Sequence, residues 1–252
     1  MNMREFTGLR FDERFCSEAG HVLRETGRHF IPGEQMRAAC GVDARTWQAF
    51  ADFWDTLTQD QYMADNGTYR LRRYGEFELD TAAGNLQQLP HGPYQQALYI
   101  NPLNGGVLRH FDPLLPEWVG NPLFEALLRA LGSMFEQAQG HAARWNVRLH
   151  PYRILAQSGQ QGQPTPEGLH RDGVDYIVSM MVRRNNVSGG ETCITDAHGQ
   201  VLEYQTLQAP LDILLADDAQ TMHSVSAISP LDPAQSAWRD VLVIAFTRIP
   251  VA

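Results

Sequence analysis

The segment GLHRDGVDY, residues 168–176, sets an imidazole, His170, two positions before a carboxylate, Asp172. On an extended chain, positions i and i+2 point to the same face, so the two can grip one ion together. A second imidazole, His223, stands in the strand-like run TMHSVSAI, about fifty residues on, a distance that a folded-back double sheet closes. Two imidazoles and one carboxylate on one face of a metal leave the opposite face free. That donor set suits Fe(II), with an oxidisable co-substrate and dioxygen in the open positions. Spacing alone leaves rivals. Asp175, Asp217 and Asp218 are alternative acids, the last two readable as the end of a strand, and His198 in the polar turn DAHGQ is a competing imidazole.

The elements that must position these groups fall into two halves. CSEAGHVLRETGRHF has helical spacing before IPG stops it. In VDARTWQAFADFWDTLT, Asp43 can cap, and Trp47, Phe50, Ala51, Trp54 and Leu57 share one face of a 3.6-residue period. A third helix opens at Asn121-Pro122 and closes at Gly140, with a leucine-rich stripe that reads as a helix back packed on a sheet. Between the second and third helices, TYRLRRYGEFELD alternates as a strand and QQALYINPLNGG is a second candidate. From residue 146 on, NVRLHPYRILAQ, DYIVSMMVRR, ETCITD, QVLEYQTL, LDILLA, TMHSVSAI and RDVLVIAFTRI are short β-like runs broken by Gly, Pro, Asn or Asp. So many strands at short spacing predict a mainly β, α+β protein: a sandwich or closed double sheet, of which the eight-stranded jelly roll is one form. No Pro/Gly/Ser-rich linker separates the halves. Residues 1–252 therefore read as one domain, a helix-rich part over about 1–145 packed on a β core over about 146–252.

Composition narrows the function. Of the 252 residues 43% are hydrophobic and 19% charged, enough to bury a core, and the net charge of −9 argues against nucleic acid as the main partner. Three cysteines without paired spacing offer neither a disulfide framework nor a Cys-based zinc site. No run is apolar enough for a signal peptide or a membrane span, so a soluble, cytoplasmic protein is the expectation. The helices could pack on the sheet or form a dimer face, and the pattern is the same either way.

PEGLHRDGVDYIVSMMVRRNNVSGGETCITD, followed by LDILLADDAQTMHSVSAI and RDVLVIAF, resembles the Fe(II)/2-oxoglutarate-dependent dioxygenases. More narrowly it is similar to the bacterial branch with the L-isoleucine 4-hydroxylase, related free-amino-acid hydroxylases and proteins linked to biofilm and stress. The likeness covers roughly residues 146–248. It implies a double-stranded β-helix (jelly-roll, cupin-like) core, His170, Asp172 and His223 as the iron triad, and Fe(II), 2-oxoglutarate and dioxygen as reactants. The products would be succinate, CO2 and a hydroxylated small substrate, by analogy a free L-amino acid. A co-substrate that chelates iron through its 2-oxo acid end needs a fixed cation for its distal carboxylate. The resemblance places that cation at Arg239, with Val241 and Val243 on the same strand face. Arg248 is a rival on the opposite face.

Weaker candidates surround these. Arg153 in LHPYRILAQ could hold a substrate carboxylate or pair with a surface acid, while Tyr152 points the other way and reads as packing. Glu167, in the loop PTPEGLH, is a second candidate for substrate binding at the mouth of the pocket. The glycines of NNVSGGE read as turn formers that need positive φ. Two other functions fit the same residues: a non-catalytic sensor that binds 2-oxoglutarate and metal without turnover, and a cupin-type isomerase or hydrolase. The latter calls for a fourth ligand, and none is placed as well as these three.

Overall fold

A computed structural model describes residues 8–63, 65–98, 100 and 105–250. Helix α1 (Glu13–Thr26) is capped by the Asp12 carboxylate, which accepts from the Phe15 N–H, and is stopped by Gly27 at φ 72. That glycine ends the first helix earlier than its apolar spacing predicts, and RHF goes into strand β1 (Arg28–Ile31) instead. IPG does not stop a helix but opens one, α2 (Gly33–Cys40). Asp43 does cap α3 (Ala44–Ala51), which continues as a 3-10 turn over Asp52–Thr56. After the short α4 (Pro116–Val119), α5 (Pro122–Gln139) starts at Asn121 and ends at Gly140, as its cap, proline and glycine predict.

The remaining strands are β2 (Thr58–Gln59), β3 (Arg70–Arg72), β4 (Gly75–Asp80), β5 (Asn85–Gln88), β6 (Arg144–Ala156), β7 (Tyr176–Asn185) and β8 (Val187–Gly189). Then come β9 (Glu191–Asp196), β10 (Val201–Thr206), β11 (Ile213–Asp217), β12 (Thr221–Val225), β13 (Ile228–Pro230) and β14 (Ala237–Arg248). TYRLRRYGEFELD is thus two strands, β3 and β4, which pair with successive stretches of β6. Of QQALYINPLNGG, Tyr99 and residues 101–104 lie outside the described residues, and the rest is turn and coil rather than strand.

All pairings within the sheets are antiparallel. The main sheet runs β1-β11-β7-β14-β6-β3-β2, with β4 also on β6 and β5 on β4. A three-stranded sheet, β10-β9-β12, and the pair β13-β8 complete the β layers. Strand period 2 sorts the main sheet into two faces. Trp145, Val147 and Leu149, with Val178, Met180, Leu242, Ile244 and Phe246, are fully buried in one core with the helices. Phe135 of α5 stacks on Tyr176 at 4.4 Å and meets Phe246 edge-on at 4.8 Å. On the other face, Met181 and Leu214 pack against Ile194 of the small sheet. The order is helices, main sheet, small sheet: a jelly-roll core with helices on its outer face. Strands of the first half, β1 to β5, widen the main sheet, so that half contributes to the β layer as well as covering it.

Candidate metal centre

Between the sheets, His170 and His223 exchange both backbone hydrogen bonds, at 3.0 and 2.9 Å, as an antiparallel bridge that extends the small sheet beyond β12. Residues paired in this way put their side chains on the same face, and the two rings lie 4.5 Å apart. His170 Nδ1 lies 2.9 Å from the Gly168 carbonyl. A carbonyl only accepts, so the proton sits on Nδ1 and leaves the Nε2 lone pair for a ligand. Asp172 Oδ2 stands 3.5 Å from His223 Nε2, and one ligand atom from each of the three residues lies within 4.8 Å of the others.

Asp172 does not get there by strand alternation. Past His170 the chain is a bent loop with Gly173 at φ 74. What shapes it is Asp218, a buried carboxylate that accepts from the N–H groups of Asp172 (3.0 Å), Gly173 (2.7 Å) and Val174 (3.0 Å). Asp218, read from the sequence as a strand end, is therefore the brace of the loop that carries Asp172. Its one sequence signal is a charged pair closing the apolar run LDILLADD.

The electrostatics suit a cation. Burial, with His170 adding to it, holds the His223 imidazole down at about 4, so it is neutral near pH 7. Burial raises Asp172, and burial with the charge of Asp172 raises Asp218. Two desolvated acids beside the neutral His223 imidazole are relieved by a positive ion, and imidazole with a single direct carboxylate fits Fe(II) better than Ca or Mg.

Arg239, at 2% exposed, lines the same cavity as the triad, together with Val241 and Val243, as strand parity predicts. Its Nε has no hydrogen-bond partner, and among the described residues no carboxylate pairs with it. Burial and the nearby Arg184 pull its guanidinium down to about 10. Asn186, Gly189 and Gly190 have positive φ, so NNVSGGE forms the turn its composition predicts. A side chain at Gly190 would sit 3.2 Å from Arg239 Cδ.

Arg248 is elsewhere: half-exposed at the far end of β14, it pairs with Asp175. Arg153 also departs from the expectation of a substrate contact. It lies on the helix-facing side of β6 and is taken up by buried Asp240 (2.7 Å) and by Asp55 (2.8 Å). Tyr152, expected to be packing, lines the cavity instead, because on β6 the even-numbered residues face inward. Glu167 lines it too, with Oε1 3.5 Å from His170 Nε2, outside the three-residue ligand group. His198 remains in its turn, held by Asp196.

The profile of the 2OG-Fe dioxygenase family matches residues 51–245, and the chain belongs to that family. It is an Fe(II)- and 2-oxoglutarate-dependent dioxygenase, using dioxygen. The match starts within α3, well ahead of the stretch that carries the resemblance in the sequence. The chain is 26% identical over 241 residues to a 3(1)-hydroxy-L-isoleucine 4-dioxygenase of Pantoea ananatis, covering 91% of this chain and 95% of the relative. It is 22% identical over 203 residues to an L-isoleucine-4-hydroxylase of Bacillus thuringiensis, covering 79% and 82%. Among solved structures, a bsmA homolog from Methylobium petroleophilum PM1 superposes with a TM-score of 0.83 at 35% identity, covering 98% and 96%. Among the described residues no helix is long and apolar enough to cross a membrane.

Proposed function

We propose that this dioxygenase hydroxylates a free L-amino acid, with His170, Asp172 and His223 holding the iron and Arg239 holding the distal carboxylate of 2-oxoglutarate. The observation that carries the assignment is Arg239: a buried guanidinium without a carboxylate partner, in the cavity that the two imidazoles and Asp172 also line. Such a group is costly unless an anion arrives to pair with it. Bound iron supplies the coupling of dioxygen reduction to oxidative decarboxylation: 2-oxoglutarate, O2 and R–H become succinate, CO2 and R–OH. The residues of the chain do the positioning. Gly168 fixes the His170 tautomer, Asp218 sets the loop that aims Asp172, and the Val225, Val241 and Val243 side chains keep part of the wall dry. The amino-acid substrate is supported by the names of the two curated relatives, both of which act on isoleucine or its hydroxy derivative.

The test is succinate release from 2-oxoglutarate with Fe(II) and a panel of L-amino acids, together with mass spectrometry for the gain of one oxygen atom. Wild type is expected to give both products. Asp172→Ala is expected to lose iron and turnover, by ~10³-fold or more, while keeping its far-UV circular dichroism. A wild type that binds no iron, or an Asp172→Ala protein that turns over normally, would refute the assignment.

A further inference from the structure

The cavity has a second chamber, which Arg239 does not reach. Tyr152, Glu167, Asp172 and Val243 line both chambers, while Arg72 and Arg109 line only the second. Both of these arginines are buried, at 1% and 3% exposed, and the Nε of each lacks a hydrogen-bond partner. Among the described residues the carboxylate that pairs with Arg72 is Asp60, 3.8 Å away and already engaged by Arg70 at 2.7 Å, and none pairs with Arg109. Arg72 otherwise donates to neutral His150 at 2.5 Å, and Arg109 to the neutral Gln96 side chain at 2.9 Å. Aromatic faces fix their planes: Arg72 lies 3.6 Å from the Phe111 ring centre and Arg109 lies 4.7 Å from that of Tyr94.

Two oriented forks with excess positive charge match a carboxylate, which accepts two parallel N–H bonds. Glu167, whose Oε2 has no partner, offers the opposite charge where the chambers meet. Ile177, Val243 and Ala245 form an aliphatic floor in the chamber that Asp172 also lines. The chamber therefore presents three things to a ligand: cationic forks, one acid and an apolar surface beside the metal ligands.

We propose that Arg72 and Arg109 anchor the carboxylate of the substrate and that Glu167 receives its ammonium group. The site then selects free zwitterionic amino acids over amides and peptide-bound residues. The inference rests on the functional reading above, and it adds the groups that recognise the substrate and the class they reject.

The test measures binding under argon to protein loaded with Fe(II) and 2-oxoglutarate, using free aliphatic L-amino acids and their carboxamides as probes. At least one free acid is expected to bind, and its carboxamide at least ~30-fold more weakly, the effect of truncating one partner of a buried charge pair. Arg109→Gln is expected to weaken the acid by a similar factor without a matching change in affinity for 2-oxoglutarate, and Arg109→Lys to recover part of the loss. If Arg109→Gln fails to fold, the contrast between acid and amide on wild type decides alone. Equal binding of acid and amide, an unaffected Arg109→Gln, or no acid bound by a protein that holds iron and 2-oxoglutarate would overturn the proposal. A wild type that holds neither iron nor 2-oxoglutarate would sink the functional reading beneath it instead.

Discussion

Along β6 the odd-numbered Trp145, Val147 and Leu149 face the helices among apolar side chains, while the even-numbered His150 and Tyr152 face the cavity among arginines. β14 repeats the division, with Leu242, Ile244 and Phe246 on one side and Arg239 on the other. The same strands thus carry two environments one side-chain step apart. The helix-facing side gains stability by removing apolar surface from water. The cavity-facing side holds Arg239, and Arg72 of the neighbouring β3, away from water with incomplete partners, and buries His150 against Arg72. Stability and ligand capture are separated by parity, and substitutions on the two faces should therefore fail in different assays.

The largest effect is expected on the helix-facing side. Phe246→Ala removes a fully buried ring from the cluster with Phe135 and Trp145 and should cost about 3–5 kcal/mol, read as a lower urea midpoint. If the protein still folds, its affinity for 2-oxoglutarate should be near wild type. A large loss of that affinity in a folded Phe246→Ala protein would break the division. On the cavity side, Asp218→Asn keeps the shape but gives up the charge that accepts three backbone N–H bonds at the Asp172 loop. Iron affinity should drop about 10–100-fold, as for other groups that orient a metal ligand, with a smaller change in urea midpoint. Iron titration under argon measures it.

The smallest effect is a pH dependence. Burial first, then the charges of Arg72, Arg148, Arg109 and Arg70, hold His150 well below the usual imidazole range. The unfolded chain takes up a proton near pH ~6.5 that the folded chain refuses, so stability is fully present above that pH and falls as pH drops below it. The slope from one such group is at most about 1.4 kcal/mol per pH unit. His150→Gln, which can still accept from Arg72, should show a shallower loss of urea stability between pH 7 and pH 5. The slope should not vanish, because burial lowers His29 and His223 as well.

The His170, Asp172 and His223 group is legible in the sequence through its donor chemistry, and the shared face of the strand that bears Arg239 through its period, because both are local. Asn121, Pro122 and Gly140 mark α5 for the same reason. The groups that stayed hidden depend on which way a strand faces. In β3 the alternation places Arg70 and Arg72 on one face, and that face turns inward, which stays hidden because the period states which residues share a face and not which face is enclosed. Arg153 and Tyr152 were separable in the same way, but only the position of the helices shows that Arg153 is on their side. Asp218 acts through backbone N–H groups of a distant loop, a contact that leaves no mark in spacing.

Arg239 gives the most direct measurement: the dissociation constant of 2-oxoglutarate for Fe(II)-loaded protein under argon, wild type against Arg239→Gln. The expected result is binding weakened at least ~30-fold, with iron affinity retained and a urea midpoint no lower than wild type, since an unpaired buried charge has been removed. Equal 2-oxoglutarate affinity in the two proteins would contradict the account.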